Sequence, residues 1–149
     1  MFYQMHEGYL PLNGAWHDQS VNVLVPRESA VKGINLVASR DDLPMGTAFA
    51  DYLVTQRKIF EKDLPKYHPL ADAPDVLNDH PAHFFEFTWS SQGSPLHQMM
   101  LVVCLEGRIL SLTATVPGSM DAAIREKMLG TLKSFRFGAA PVEAKDPTA

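Results

Sequence analysis

Apolar and polar residues alternate with a period of two along most of this chain, and the period lengthens to helical spacing in two places only. The clearest early alternation lies within Trp16 to Val25, read as a strand. From Ser20 onward Val21, Val23 and Val25 form one row and Ser20, Asn22 and Leu24 the other, and Pro26 ends it. Before it, Phe2 to His6 reads as a first strand, and residues 8–14, with Pro11 and Asn13-Gly14, as a short extended piece and a turn. After it, residues 33–39 repeat the alternation, with Ile34, Leu36 and Ala38 opposing Asn35, Val37 and Ser39, and Arg40-Asp41-Asp42 reads as a solvated closing turn.

Between Thr47 and Leu64 the apolar residues Phe49, Tyr52, Leu53, Ile59, Phe60 and Leu64 recur at helical spacing, with Thr47 as N-cap and Pro65 as stop. Gln56 occupies a place in that stripe where a leucine would be expected. The proline-rich run from Pro69 to Asp75 reads as irregular or as an edge strand, because proline cannot donate to a ladder. Three long strand-like runs follow the turn at Asn78 to Pro81: Ala82 to Ser90, Leu96 to Leu105 and Arg108 to Val116. The short links Ser91-Gln92-Gly93 and Glu106-Gly107 make them an antiparallel meander. A second helix is predicted from about Ser119 to Phe135, with Ile124, Met128, Leu132 and Phe135 inward. The class is α+β, a mainly antiparallel twisted sheet with two helices packed on one face, forming a single domain over residues 1–137. Residues 138–149 lack periodicity and are expected to be a disordered tail.

The pattern holds more apolar surface than two helices on one face can cover. In Leu96 to Leu105, one row is Leu96, Gln98, Met100, Val102 and Cys104, and the other is His97, Met99, Leu101, Val103 and Leu105, so both faces are largely apolar. Either loops and the first strand fold over the second face, or that face meets a partner. Met99-Met100 in a central strand suits an adaptable surface as well as a core. Gln56 and Gln98 could satisfy stray polar groups of a bound apolar segment without the desolvation cost of a charge, or could bond neighbouring backbone.

Composition narrows the function classes. The chain of 149 residues carries 46% hydrophobic and 20% charged residues, a globular composition, and no run approaches the roughly 20 apolar residues of a membrane span. A net charge of −4 without a lysine or arginine cluster argues against nucleic acid as partner. The first residues lack the basic and apolar regions of a signal peptide, and the single Cys104 cannot form an internal disulfide, so the expected location is cytoplasmic.

Catalytic chemistry finds little support. Of six histidines only His80 and His83 are close, on a turn, without a carboxylate or cysteine at metal-ligand spacing. Cys104 sits in an apolar strand without a cation to activate it. Glu86, between Phe85 and Phe87, reads as solvent-facing. No nucleophile elbow, P-loop or dinucleotide fingerprint occurs, and neither an enzyme, a metal nor a cofactor is expected.

The run Trp16-His17-Asp18-Gln19-Ser20-Val21-Asn22-Val23, followed by Ser39-Arg40-Asp41, Phe49-Ala50-Asp51-Tyr52 and Gln56, resembles the Eag (effector-associated gene) chaperones of bacterial type VI secretion. These belong to the DcrB-like, DUF1795 superfamily, and the similarity runs from about Tyr3 to Phe137. The resemblance implies a Mog1/PsbP-like fold, a homodimer and an apolar groove on the sheet. In the family that groove shields the N-terminal transmembrane helices of an effector with a PAAR spike domain and aids its loading on the spike. Carried over, the groove residues are Val21 and Val23, with Val37 and Ser39 beside them, Gln56 and Gln98 as polar contacts, and Met100. Relatives often have isoleucine where this chain has Val21 and Val23, which puts the depth of the groove in question. A small-molecule or lipid carrier using the same face, or a subunit with that face as a permanent interface, are the competing readings.

Overall fold

In a computed structural model, which describes residues 1–142, ten elements follow one another. They are β1 (Phe2–Gln4), β2 (Tyr9–Pro11), β3 (Asn22–Leu24), β4 (Asn35–Asp42), α1 (Phe49–Asp63), β5 (His68–Leu77), β6 (His80–Ser91), β7 (Ser94–Leu105), β8 (Arg108–Pro117) and α2 (Ala122–Lys133). Strands β3 to β8 form one antiparallel sheet in the order β3-β4-β8-β7-β6-β5, and β1 and β2 make a separate hairpin. The predicted meander is thus the centre of the sheet. The hairpin turns use positive φ at Asn78 and Asp79 between β5 and β6 and at Gln92 and Gly93 between β6 and β7, the two-residue geometry whose twist matches that of paired strands. For the expected tail, residues 143–149 lie outside the described residues.

Two local expectations differ, and a third is resolved. Arg40-Asp41-Asp42 continue β4 as partners of Leu110, Ile109 and Arg108 instead of turning away, because the long β8 offers them a ladder. The N-cap of α1 is Ala48 and carries no side-chain cap, while Thr47 belongs to the preceding turn through its N–H to the Pro44 carbonyl, 2.9 Å. Of the two readings of Pro69 to Asp75, the edge strand holds: the run lies within β5, with a register shift between Pro69 and Ala71, where a missing proline N–H costs least.

The α+β class holds, but the helices do not share a face. Along β7, Met99, Leu101 and Val103 pack with Leu110, Leu112, Ala114 and Val116 of β8 and with Ile124, Met128 and Leu132 of α2. The intervening Val102, with Met100 and Cys104, packs with Phe85, Phe87 and Ile109 and with Leu53 and Phe60 of α1. Successive strand residues point to opposite sides, so a strand apolar in both rows requires cover on both, and each helix provides one.

An arginine–carboxylate–histidine group ties each helix to the sheet. On the α2 side Glu86 is buried, not solvent-facing. Arg125 reaches it from α2 through Nη2, 2.7 Å from Oε1, and through Nε. His97 Nδ1 accepts the Met120 backbone N–H at 3.0 Å, so Nε2 holds the proton and donates it to Glu86 Oε2 at 2.7 Å. Burial raises the Glu86 carboxyl, and the bonds from Arg125 and His97 outweigh that, leaving it below its ordinary value. Phe85 and Phe87 point to the other face, which is why alternation with them misread Glu86.

Removing one partner of a buried ion pair leaves the other uncompensated, so Glu86→Gln should lower the unfolding free energy by about 3 kcal/mol. Urea denaturation of the purified variant checks this. A loss below about 0.5 kcal/mol, the size of an ordinary surface substitution, would contradict the role given to Glu86.

Candidate functional site

The α1 face of the sheet is covered over one part only. Helix α1 rests on the β6–β7 half through Leu53 and Phe60, while β3, β4 and β8 continue beyond it. The registers arrange that continuation in rows: Val23, Val37, Thr113 and Met100 lie side by side, as do Ser39, Ser111 and Val102, and Asn35, Thr115 and Gln98. Strands sit about 4.8 Å apart, so the two gaps from β3 to β8 make an uncovered strip roughly 10 Å wide, with β7 already under α1.

Apolar residues form the outer bank. Val21 and Val23 are 55% and 60% exposed, and Val37 beside them is half-buried. The inner bank is α1, whose half-buried Tyr52 and Gln56 flank the Leu53–Phe60 stripe. The floor is β8, and its row of Ser111, Thr113 and Thr115 is polar, with each residue at most 9% exposed.

Two sets of bonds hold this arrangement. Trp89 Nε1 donates to Gln98 Oε1 at 2.6 Å, and Gln98 Nε2 donates to Thr115 Oγ1 at 2.8 Å, a chain from β6 across β7 to β8. Helix α1 is fixed at two points. Tyr52 donates its hydroxyl to Asp41 Oδ2 on β4 at 3.3 Å, and burial together with that carboxylate pushes the phenol up to about 12. Arg57 grips Asp72 of β5 with Nε at 2.6 Å and Nη2 at 2.9 Å, and buried His83 of β6 bonds the same carboxylate. The paired guanidinium holds the Asp72 carboxyl down to about 2.

All seven residues singled out in the sequence belong to this region. Val23, Val37, Ser39, Gln98 and Met100 share the sheet face by register, Val21 directly precedes β3, and Gln56 lies on the adjoining stripe of α1. Gln98 differs from its expected part: both ends of its amide are engaged within the sheet, so it braces Trp89 and Thr115. Sequence reasoning missed the β8 row, although Ser111-Leu112-Thr113-Ala114-Thr115 alternates visibly.

Among the described residues no group of three His, Cys, Asp or Glu is placed to hold a metal ion. Burial pushes the Cys104 thiol up, away from nucleophilic character. No helix of the described residues is long and apolar enough to cross a membrane. A separate hollow of about 520 Å³ lies on the opposite face between α2 and the β3–β4 connection, lined by Leu24, Val25, Ile34, Ile124 and Met128 among others.

A six-stranded antiparallel sheet with one helix per face defines an α+β domain of the PsbP kind. The solution structure of cyanobacterial PsbP (CyanoP) from Synechocystis sp. PCC 6803 shares it, with a TM-score of 0.55 at 11% identity, covering 85% of this chain and 98% of that one. A Pseudomonas aeruginosa protein of unknown function, PA94, matches in its crystal structure with a TM-score of 0.74 at 23% identity, over 94% of this chain and 98% of that one. The DcrB family model matches residues 7–134, and the chain belongs to that family. Within it, the chain is 32% identical over 117 residues to Effector EagT6 of Pseudomonas aeruginosa, covering 76% of this chain and 78% of the relative, and so joins the Eag type.

The Asp72 carboxyl, with an ordinary value of 3.8, is held at about 2 in the folded chain, so folding favours its ionised form. Its contribution to stability is complete above about pH 4 and disappears as the pH falls through 2. Asp72→Asn should therefore be less stable than the parent at pH 7, with the gap in urea midpoint closing between pH 4 and 2. A gap that stays constant over that range would show that ionisation of Asp72 does not hold α1.

Proposed function

We propose that this protein is a type VI secretion chaperone that seats an apolar α-helix of its effector in the strip between α1 and β3. The observation that carries this reading is the width of the uncovered face. A helix with its side chains is roughly 10–12 Å across, close to the roughly 10 Å of the strip between its bank of valines and its bank of α1 side chains. Kinship with EagT6 supports an effector as the source of the helix.

The fuller form of the proposal is a cytoplasmic homodimer that shields the N-terminal transmembrane helices of an effector carrying a PAAR domain. Such a helix exposes apolar surface whose burial is worth about 25 cal/mol per Å², so binding rests on area more than on sequence. Openness also favours a polypeptide over a lipid or small molecule, whose carriers bury roughly 70–90% of the ligand. Valine in place of isoleucine at 21 and 23 lowers the outer bank by a methylene per site and leaves the apolar row unbroken.

A carboxylate on that bank would face the apolar helix without a partner. Val21→Asp and Val23→Asp should each keep the circular dichroism spectrum of the parent and reduce a co-expressed PAAR effector with N-terminal apolar helices to the level seen without chaperone. Full protection by both variants would remove the strip from the binding site.

A further inference from the structure

The floor of the strip is built for more than apolar contact. Ser111, Thr113 and Thr115 are each more than nine-tenths buried, in a row that faces α1 and not the α2 core. Neither the Ser111 nor the Thr113 hydroxyl has a hydrogen-bond partner among the described residues. Since no fully enclosed side-chain N or O atom there lacks one, both hydroxyls reach the open strip. Thr115 accepts from Gln98 Nε2, which leaves its own O–H free to donate outward. A strand that needed only to pack would carry valines here, because a hydroxyl withdrawn from water without a partner costs free energy.

We infer that the seated helix turns a row of Ser, Thr or Asn side chains onto β8 and lies along that strand. Resting on the proposed function, this assigns the partner's chemistry and its orientation. Alternate β8 residues are about 6.7 Å apart. Helical residues four apart rise about 6 Å and lie on one face, so a polar residue at i, i+4 and i+8 meets Ser111, Thr113 and Thr115 in turn. Leucines on the flanks of the same helix meet Val23 and Val37 on one side and Met100 on the other. An occupant crossing the strip would reach one hydroxyl only, and a wholly apolar one would leave all three unpaired.

The test uses three synthetic helices of equal length with lysine-capped leucine-alanine sequence: one with Ser or Thr at i, i+4 and i+8, one with the same residues scattered around the helix, and one without them. Binding to the full chain is read by fluorescence anisotropy of a labelled peptide. The striped peptide should bind about tenfold tighter than the scattered one, the worth of one to two net hydrogen bonds. That preference should fall below about twofold in Ser111→Ala/Thr113→Val, which remove the hydroxyls and stay close to the parent side chains in size, while scattered and wholly apolar peptides bind the variant no more weakly than the parent. A preference unchanged in the variant, or absent in the parent, overturns the inference. Failure of the underlying reading looks different: none of the peptides then binds, or Val23→Asp binds all three as the parent does.

Discussion

The structure depends on a central strand that is apolar on both sides. β7 cannot lie with either face in water, so the meander it centres has to be the middle layer of three. One helix on each side meets the requirement directly above the meander and no further. α1, with 15 residues, is about 22 Å long and 10–12 Å wide, whereas six strands about 4.8 Å apart span roughly 24 Å. On the α2 side, Val31, Ile34, Met120 and Phe135 from connecting segments extend the cover. On the α1 side Leu43 and Tyr67 from connecting segments pack against the cluster, and the exposed valines of β3 lie outside it.

A strip of fixed width needs a fixed wall, and burial of Leu53 and Phe60 alone would let α1 slide or roll. The ionic groups restrict it. Arg57 holds a two-point grip on Asp72 from one side of the helix, and Tyr52 reaches Asp41 on β4 from the other, so α1 is anchored to both an outer strand and the strand beyond the floor. Glu86, Arg125 and His97 do the same for α2 on the opposite face. Charges withdrawn from water contribute little net stability even when well paired, and their directional bonds add placement.

Much of this was legible in the chain. The meander, its turns, the proline-marked edge and both helices follow from period and punctuation, since these are local properties. What was not legible depends on which residues meet across the fold. Glu86 between two phenylalanines has the pattern of a wet position, and only Arg125, 39 residues away, makes it a dry one. Asp41 and Asp42 look like a turn until β8 is long enough to pair with them. The placement of the helices failed for a related reason: two amphipathic helices cover one face or one each, and the double apolar rows of β7 favoured the second. Among the site residues, the valine row was readable because it alternates. Gln98 was readable as unusual but not as engaged, because its partners Trp89 and Thr115 belong to neighbouring strands.

The β8 hydroxyls reconcile two demands on an open apolar face. An empty strip lined wholly by valine and methionine would expose a continuous apolar patch to water and invite association with any other such surface. A polar row between the banks breaks that patch, and water can bond Ser111 and Thr113 while the strip is empty. An occupant must then replace those waters with groups of its own or leave the hydroxyls unpaired, which disfavours apolar surfaces that lack matching polar groups. The same three residues therefore lower the cost of the empty state and raise the selectivity of the filled one. Moving them to either bank would forfeit both effects, since the banks are where the flanks of a seated helix bury their leucines.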